Sequence, residues 1–296
     1  MLPKMSACVF IRDNDVGAFC LWESMAQLIP LVDEYVVYDF GSTDGTRDAV
    51  LDLALKNPKI KSVVGPFPTN PKTGNKDSGG FAEMANMVVS MCKNDLVIYH
   101  QSDEIWHENL IRLMVKRLES EQNGATSKGF EGLSFWRYQL KENFQKFKWF
   151  PHLVKRVVWK RDIVEGTNPF DGDGMNTTRQ ADVCSHFDGG WGHKWDTVFR
   201  PAPHTLPGHE MILDVSRNGG FLQNIVKKST LHGPFWNEDP NVDGRPVKEW
   251  YEEELRTNTN WYKQWSPFEI PEIMRGHLGK DTYEQRPEIM KRIANG

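Results

Sequence analysis

The chain has 296 residues, 39% of them hydrophobic, and a formal net charge of -4, so it can bury a large core without metal or disulfide staples. The acidic balance excludes the basic face that grips nucleic acid backbones, and no run approaches the roughly 18 apolar residues of a membrane-spanning helix, which leaves only peripheral membrane contact. Cys8, Cys20, Cys92 and Cys184 lie far apart without a CxxC pair, which excludes a zinc ribbon and a disulfide framework and points to a reducing cytoplasm.

In chain order, short apolar runs alternate with amphipathic stretches, the pattern of a mostly parallel sheet with crossover helices. Ser6 to Arg12 reads as the first strand. Ala18, Trp22, Met25, Ala26 and Ile29 recur at helical spacing, and Pro30 closes that segment. A second strand follows at Tyr35 to Asp39, then a helix with Val50, Leu53 and Ala54 on one face, then a third strand at Ile60 to Val64. A loop rich in Pro, Gly and Asn covers Gly65 to Gly80. Phe81, Met84, Ala85, Val88 and Cys92 mark another helix, Leu96 to Gln101 a fourth strand, and Leu110, Ile111, Met114 and Leu118 a further helix. Beyond Gly124 the pattern is more broken: strand-like pieces at Leu133 to Gln139 and Leu153 to Lys160, a loop from Asn168 to Gly220, a helix at Val247 to Arg256 and a short one near Ile289. Two halves are expected, 1–123 and 124–296, the second an irregular α+β region.

In an open parallel sheet the carboxyl ends of the strands form a crevice where ligands bind. Three strand ends carry polar residues there: Arg12-Asp13-Asn14, Asp39 followed by GSTDGT, and Gln101-Ser102-Asp103-Glu104. A carboxylate at the end of a buried strand can accept a ribose hydroxyl or a base N–H, the role expected of Asp39, although a turn or cap role fits the same spacing. Gly41 to Gly45 supply turn chemistry and an N-cap, so Asp44 reads as structural. Asp103 and Glu104 follow an apolar strand, so at least one of the two should face the crevice. Oxygen ligands of this kind suit Mg2+ or Mn2+ bridging a diphosphate.

The run VDEYVVYDFGSTDGTRD resembles the second-strand motif of family-2 glycosyltransferases, and LVIYHQSDEIW resembles their DxD strand end. Between them, GGFAEMANMVVSMCKNDLVI is similar to the helix and strand of a subgroup like the lipopolysaccharide core glycosyltransferases. The resemblance covers residues 6 to 118. It implies a GT-A fold, with a donor-binding half at 1–123 and an acceptor-binding half at 124–296. It also implies transfer of a hexosyl unit from a nucleotide-diphosphate sugar, UDP-linked by preference, to a hydroxyl of a saccharide or glycan. By the same resemblance Asp39 contacts the nucleoside, with Arg12, Gln101 and Ser102 around the donor, and Asp103 is the metal-binding second acid of the DxD. Gln101 departs from the pattern: its neutral amide stands where the first acid belongs. Family members use a His from the C-terminal half as an extra metal ligand, a role for which His232 competes with His186, His193, His204 and His209.

Inverting transfer needs a base for the acceptor hydroxyl. By the same resemblance, Asp196, in GHKWDTVF, lies about as far after the DxD-like acid as the base does in related enzymes, with Glu165, Asp171, Asp173 and Asp188 as alternatives and Trp191 and Trp195 as flat faces for a sugar. The loop from Asn168 to Gly220 is expected on the acceptor side. Two other readings stay open: a sugar nucleotidyltransferase, whose triphosphate-cradling glycine-rich signature is absent near the first strand, and a catalytically weakened nucleotide-sugar-binding protein, suggested by Gln101.

Overall fold

The computed structural model describes residues 2–17, 19–66, 84–85, 87–122, 132–141, 146–148, 152–160, 195–197, 212–214, 241–242, 245–246, 262–264, 271–274 and 286–296. The first strands are β1 (Met5–Ile11), β2 (Glu34–Asp39), β3 (Ile60–Val64) and β4 (Leu96–Tyr99). They lie parallel in the order β3-β2-β1-β4. The chain therefore steps outward from β1 to β3 and then returns to the other side of β1. That reversal sets the crevice at the carboxyl ends of β1 and β4.

Strands buried on both faces need apolar residues at consecutive positions, and β1 shows how two cores share one strand. Met5, Ala7, Val9 and Ile11 enter one apolar cluster, whereas Cys8 enters the other with Phe10 packed against it. In β2, Tyr35 and Val37 face the first cluster and Val36 and Tyr38 the second. The same alternation places Leu96 and Ile98 against Val97 and Tyr99 in β4.

The first cluster is covered by helices. After the single turn α1 (Asn14–Gly17), α2 (Leu21–Leu28) is buried almost all round, and a 3-10 turn at Ile29–Leu31 takes Pro30 at its start. A helix centred on Trp22, Met25 and Ala26 is present, but it begins only after Phe19 makes a bridge and Cys20 caps with non-helical dihedrals. α3 (Thr46–Lys56) and α4 (Glu108–Gln122) add Val50, Leu53, Leu110, Met114 and Leu118. The last helix, α5 (Arg286–Asn295), packs on α2 and α3 through Ile289 and Ile293. Its carboxyl end is fastened by Asn57 Nδ2, which donates to the Ile293 carbonyl at 2.6 Å, and by Lys59 Nζ, which donates to Gly296 O at 3.1 Å. The second cluster is covered by the helical residues Met84, Ala85, Val88 and Val89.

Past β5 (Glu104–Trp106) the sheet becomes mixed. β6 (Gly132–Lys141) and β8 (His152–Trp159) pair antiparallel, β8 pairs antiparallel with β4, and β7 (Lys146–Lys148) extends from β6. β9 (Trp195–Thr197) and β10 (Ile212–Asp214) run parallel to β6, and β10 also pairs with β5. β11 (Asn241–Val242) and β12 (Arg245–Pro246) form a separate pair, and β13 (Tyr262–Gln264) lies on β7. The expectation of a continuous loop from Asn168 to Gly220 is corrected by β9 and β10. Three-residue strands are too short to show a period of two, so they read as irregular. The rest of that stretch and the expected helix at Val247 to Arg256 lie outside the described residues.

Candidate active site

At the carboxyl edge of the sheet, register pairs Ile11 with Asp39, so the segments leaving β1 and β2 run side by side. Asp39 is fully buried. Its Oδ1 accepts from the Gly41 and Ser42 amides at 2.8 and 2.7 Å, the turn role that its spacing allowed. Its Oδ2 has no hydrogen-bond partner and faces Arg47 Nε at 3.5 Å. One oxygen therefore shapes the turn while the other carries charge that the turn does not use. Gly41 (φ 118°) and Gly45 (φ 88°) take the left-handed conformations that let the backbone close on Asp39.

The two strand ends are laced together through Asp13. This residue sits at φ 45°, a left-handed conformation that Asp tolerates better than most residues. Its amide donates to Ser42 Oγ at 2.9 Å, and its Oδ1 accepts from the Thr43 amide at 2.6 Å and the Thr43 hydroxyl at 3.2 Å. Arg12 lies beside it, with Nε 3.3 Å from Asp13 Oδ2. Asp44 Oδ1 accepts from the Thr46 amide at 3.0 Å, a structural role at the start of α3.

On the other side of β1, β4 ends in a turn that carries Gln101, Ser102 and Asp103. The turn is fixed from beneath. Glu104 and Arg156 are both fully buried and pair through two bonds, Nε to Oε2 at 2.8 Å and Nη2 to Oε1 at 2.6 Å. The Arg156 guanidinium lies over the Tyr99 ring, 5.4 Å from its centroid. Glu104 Oε2 also accepts from the Gln101 amide at 3.1 Å. The Glu104 amide donates back to the Gln101 carbonyl, again at 3.1 Å, and closes the turn on itself. Glu104 is thereby engaged in holding the turn.

His100 supports the same turn from the side of the first apolar cluster. Its Nδ1 lies 3.0 Å from the Gln101 carbonyl, which can only accept, so the proton sits on Nδ1 and Nε2 accepts from the Tyr35 hydroxyl. Burial pushes the imidazole down to about 4, although the bond to the Gln101 carbonyl works the other way. Burial likewise raises the Tyr35 hydroxyl well above its usual value, so the pair is neutral. The sign follows from this: the folded form binds fewer protons than the unfolded form between pH 6.5 and about 4. His100 therefore costs no stability above pH 6.5, and the cost grows to roughly 3 kcal/mol as pH falls to 4. Urea midpoints measured across that window should show His100→Gln with a shallower acid limb than the parent; parallel limbs would remove His100 from the acid response.

Asp39 and Asp103 thus stand at the same edge of the sheet, at the ends of β2 and β4 with β1 between them. They are therefore two strands apart in the sheet rather than on adjacent strands. Ser102 and Gln101 are half-buried in the turn. For a divalent cation the donor set is lean, because Glu104 pairs with Arg156 and Gln101 is neutral. A single carboxylate still falls within the range for Mg2+, which takes one or two together with substrate phosphates. Among the described residues no group of three or more His, Cys, Asp and Glu gathers, and His232 lies outside them. Asp196 lies in β9 opposite Leu133, the row that continues through Val157 to Ile98. That row is three residues short of Gln101, about 10 Å down the sheet.

Arg47 and Arg156 are the residues whose part in this site sequence reasoning missed, and of Asp13, read at a strand end, it missed the bonds to Ser42 and Thr43. Arg156 had a signal: a charge inside the apolar strand HLVKRVVW must be paired if it is buried. Its partner could not be read, because β6 and the segment before it separate Arg156 from Glu104 in sequence.

The family model described as glycosyl transferase family 2 matches residues 18–170, just over half of the chain. That span contains Asp39, Gln101, Ser102, Asp103, Glu104 and Arg156, and leaves Arg12, Asp196 and His232 outside. No curated protein matches. Among solved structures, S. aureus TarS 1-349 is 19% identical with a TM-score of 0.30, covering 47% of this chain and 36% of that one. Glucosyl-3-phosphoglycerate synthase from Mycobacterium tuberculosis, in complex with Mn2+, uridine-diphosphate-glucose and phosphoglyceric acid, is 18% identical with a TM-score of 0.31, covering 47% of this chain and 44% of that one. The match spans less than half of either solved chain.

Proposed function

Because the chain belongs to glycosyl transferase family 2, we propose that it moves a hexosyl unit from a nucleotide-diphosphate sugar, UDP-linked by preference, to a hydroxyl of a saccharide or glycan. The observation that carries the donor site is the convergence of Asp39 and Asp103 on one sheet edge, flanking the end of β1. Asp39 Oδ2, buried and without a hydrogen bond, is the acceptor for the nucleoside. Arg12, Gln101 and Ser102 surround the donor, and Asp103 points the site toward the diphosphate.

In the transfer, the acceptor oxygen bonds to the anomeric carbon, the bond from that carbon to the diphosphate breaks, and the diphosphate leaves with the electron pair. A base takes the acceptor proton if configuration inverts, and we assign that role to Asp196. Asp103, with His232 as a further ligand, would hold a Mn2+ or Mg2+, and such an ion would supply positive charge beside the leaving diphosphate. Within the family we place the chain near the lipopolysaccharide core subgroup, on the helix and strand at GGFAEMANMVVSMCKNDLVI. The buried thiols of Cys8 and Cys92 support a reducing cytoplasm. Family membership gives no support to the nucleotidyltransferase alternative. A weakened nucleotide-sugar-binding protein keeps one observation in its favour, namely Gln101 beside a Glu104 already paired with Arg156.

Calorimetry with UDP tests the donor site. Asp39→Asn keeps a carbonyl for the Gly41 and Ser42 amides but removes the charge on Oδ2. A hydrogen bond to a charged group contributes about 1.5–3 kcal/mol, so the variant should bind UDP roughly 10- to 100-fold more weakly even without metal. Parent-like affinity would move the nucleoside away from Asp39.

A further inference from the structure

The last helix is tied to the segment after β1 by contacts that the transfer reading does not use. Arg286 opens α5, and its Nη1 lies 2.6 Å from Asp15 Oδ2. Its guanidinium also lies over the Trp22 ring, 5.3 Å from the centroid. Trp22 is fully buried in α2 and donates from Nε1 to Asp15 Oδ1 at 3.0 Å. The two carboxylate oxygens of Asp15 are thus held by two different helices. The Asp15 amide donates in turn to Thr46 Oγ1 at 3.3 Å, at the first residue of α3.

Asp15 stands two residues after Asp13, which laces the ends of β1 and β2. A continuous path therefore runs from Arg286 through Asp15 into residues 13–15 and the segment at 42–46, the nucleoside side of the crevice. The helix that bears Arg286 is fixed at its other end by Asn57 and Lys59, so the arginine is presented on an anchored support.

We infer that Arg286 is a positioning residue for the donor site, holding the segment after β1 in place through Asp15. The inference rests on the donor-site reading above and adds a residue outside the span matched by the family model. The side chains of Arg286 and Asp15 are 33% and 19% exposed, and a partly exposed ion pair contributes little to global stability. Its effect is therefore expected in local order and nucleotide affinity rather than in the melting temperature.

The test uses the full chain and two readouts. In Arg286→Ala, amide exchange at residues 13–17 should quicken while β1 and β2 stay protected, and UDP should bind about five- to tenfold more weakly. Arg286→Lys keeps the charge and should recover part of that affinity. Asp15→Asn, which retains an acceptor for Trp22, repeats the measurement should Arg286→Ala not fold. Unchanged exchange at residues 13–17 overturns the inference whatever UDP does. Parent-like UDP affinity in Arg286→Ala, on a parent that binds UDP, overturns it alone. A parent that does not bind UDP overturns the donor-site reading and this inference with it.

Discussion

Arg156→Met is expected to destabilise the fold by about 3–5 kcal/mol, because it leaves the fully buried Glu104 carboxylate without its countercharge. Total stabilities are about 5–15 kcal/mol, so this one change removes a large share and should lower the urea midpoint markedly. The pair itself need not be a net gain, since two charges were taken out of water to form it. Arg156→Met combined with Glu104→Leu should therefore recover much of the loss, as no charge is left buried. A double variant as unstable as the single one would show that the cost arises from packing against Tyr99 rather than from the stranded carboxylate.

The second large effect concerns the rate of transfer. Asp103→Asn keeps the size of the side chain and removes its charge, so it should slow transfer about 100- to 1000-fold, the equivalent of several kcal/mol of stabilisation of a leaving diphosphate. UDP binding without metal should change little. Asp196→Asn separates the other role: a base acts on the acceptor, so its loss should slow transfer with donor affinity unchanged in the presence and absence of Mn2+. Steady-state transfer rates read beside calorimetric affinities distinguish the two. A near-parent rate for Asp103→Asn would locate the diphosphate elsewhere, and a near-parent rate for Asp196→Asn would remove it as the base.

The parallel part of the sheet was legible because its signals are local. Strands β1, β2 and β4 are buried on both faces and read as unbroken apolar runs, and each ends in polar residues that the parallel arrangement brings to one edge. Asp39 shows the limit of that reading: its spacing allowed either a turn role or a ligand role, and the geometry gives one oxygen to the turn and leaves the other without a hydrogen bond. The pairing of Glu104 with Arg156 could not be read, because 52 residues separate the partners and no periodicity links them. β9 and β10 escaped for a different reason. Each draws its order from pairing with β6, and three residues carry too little pattern to announce a strand.

The attachment of α5 also bears on how the chain is made. Asn57 meets Ile293 across 236 residues of sequence, and Ile289 and Ile293 join the cluster that contains Leu28, Ile29, Val50 and Leu53. During synthesis the first strands and helices emerge long before their cover, and at about 5–20 residues per second the wait lasts tens of seconds or less. Throughout that interval the outer faces of α2 and α3 present apolar surface to the cell. That surface is covered only when the last helix docks.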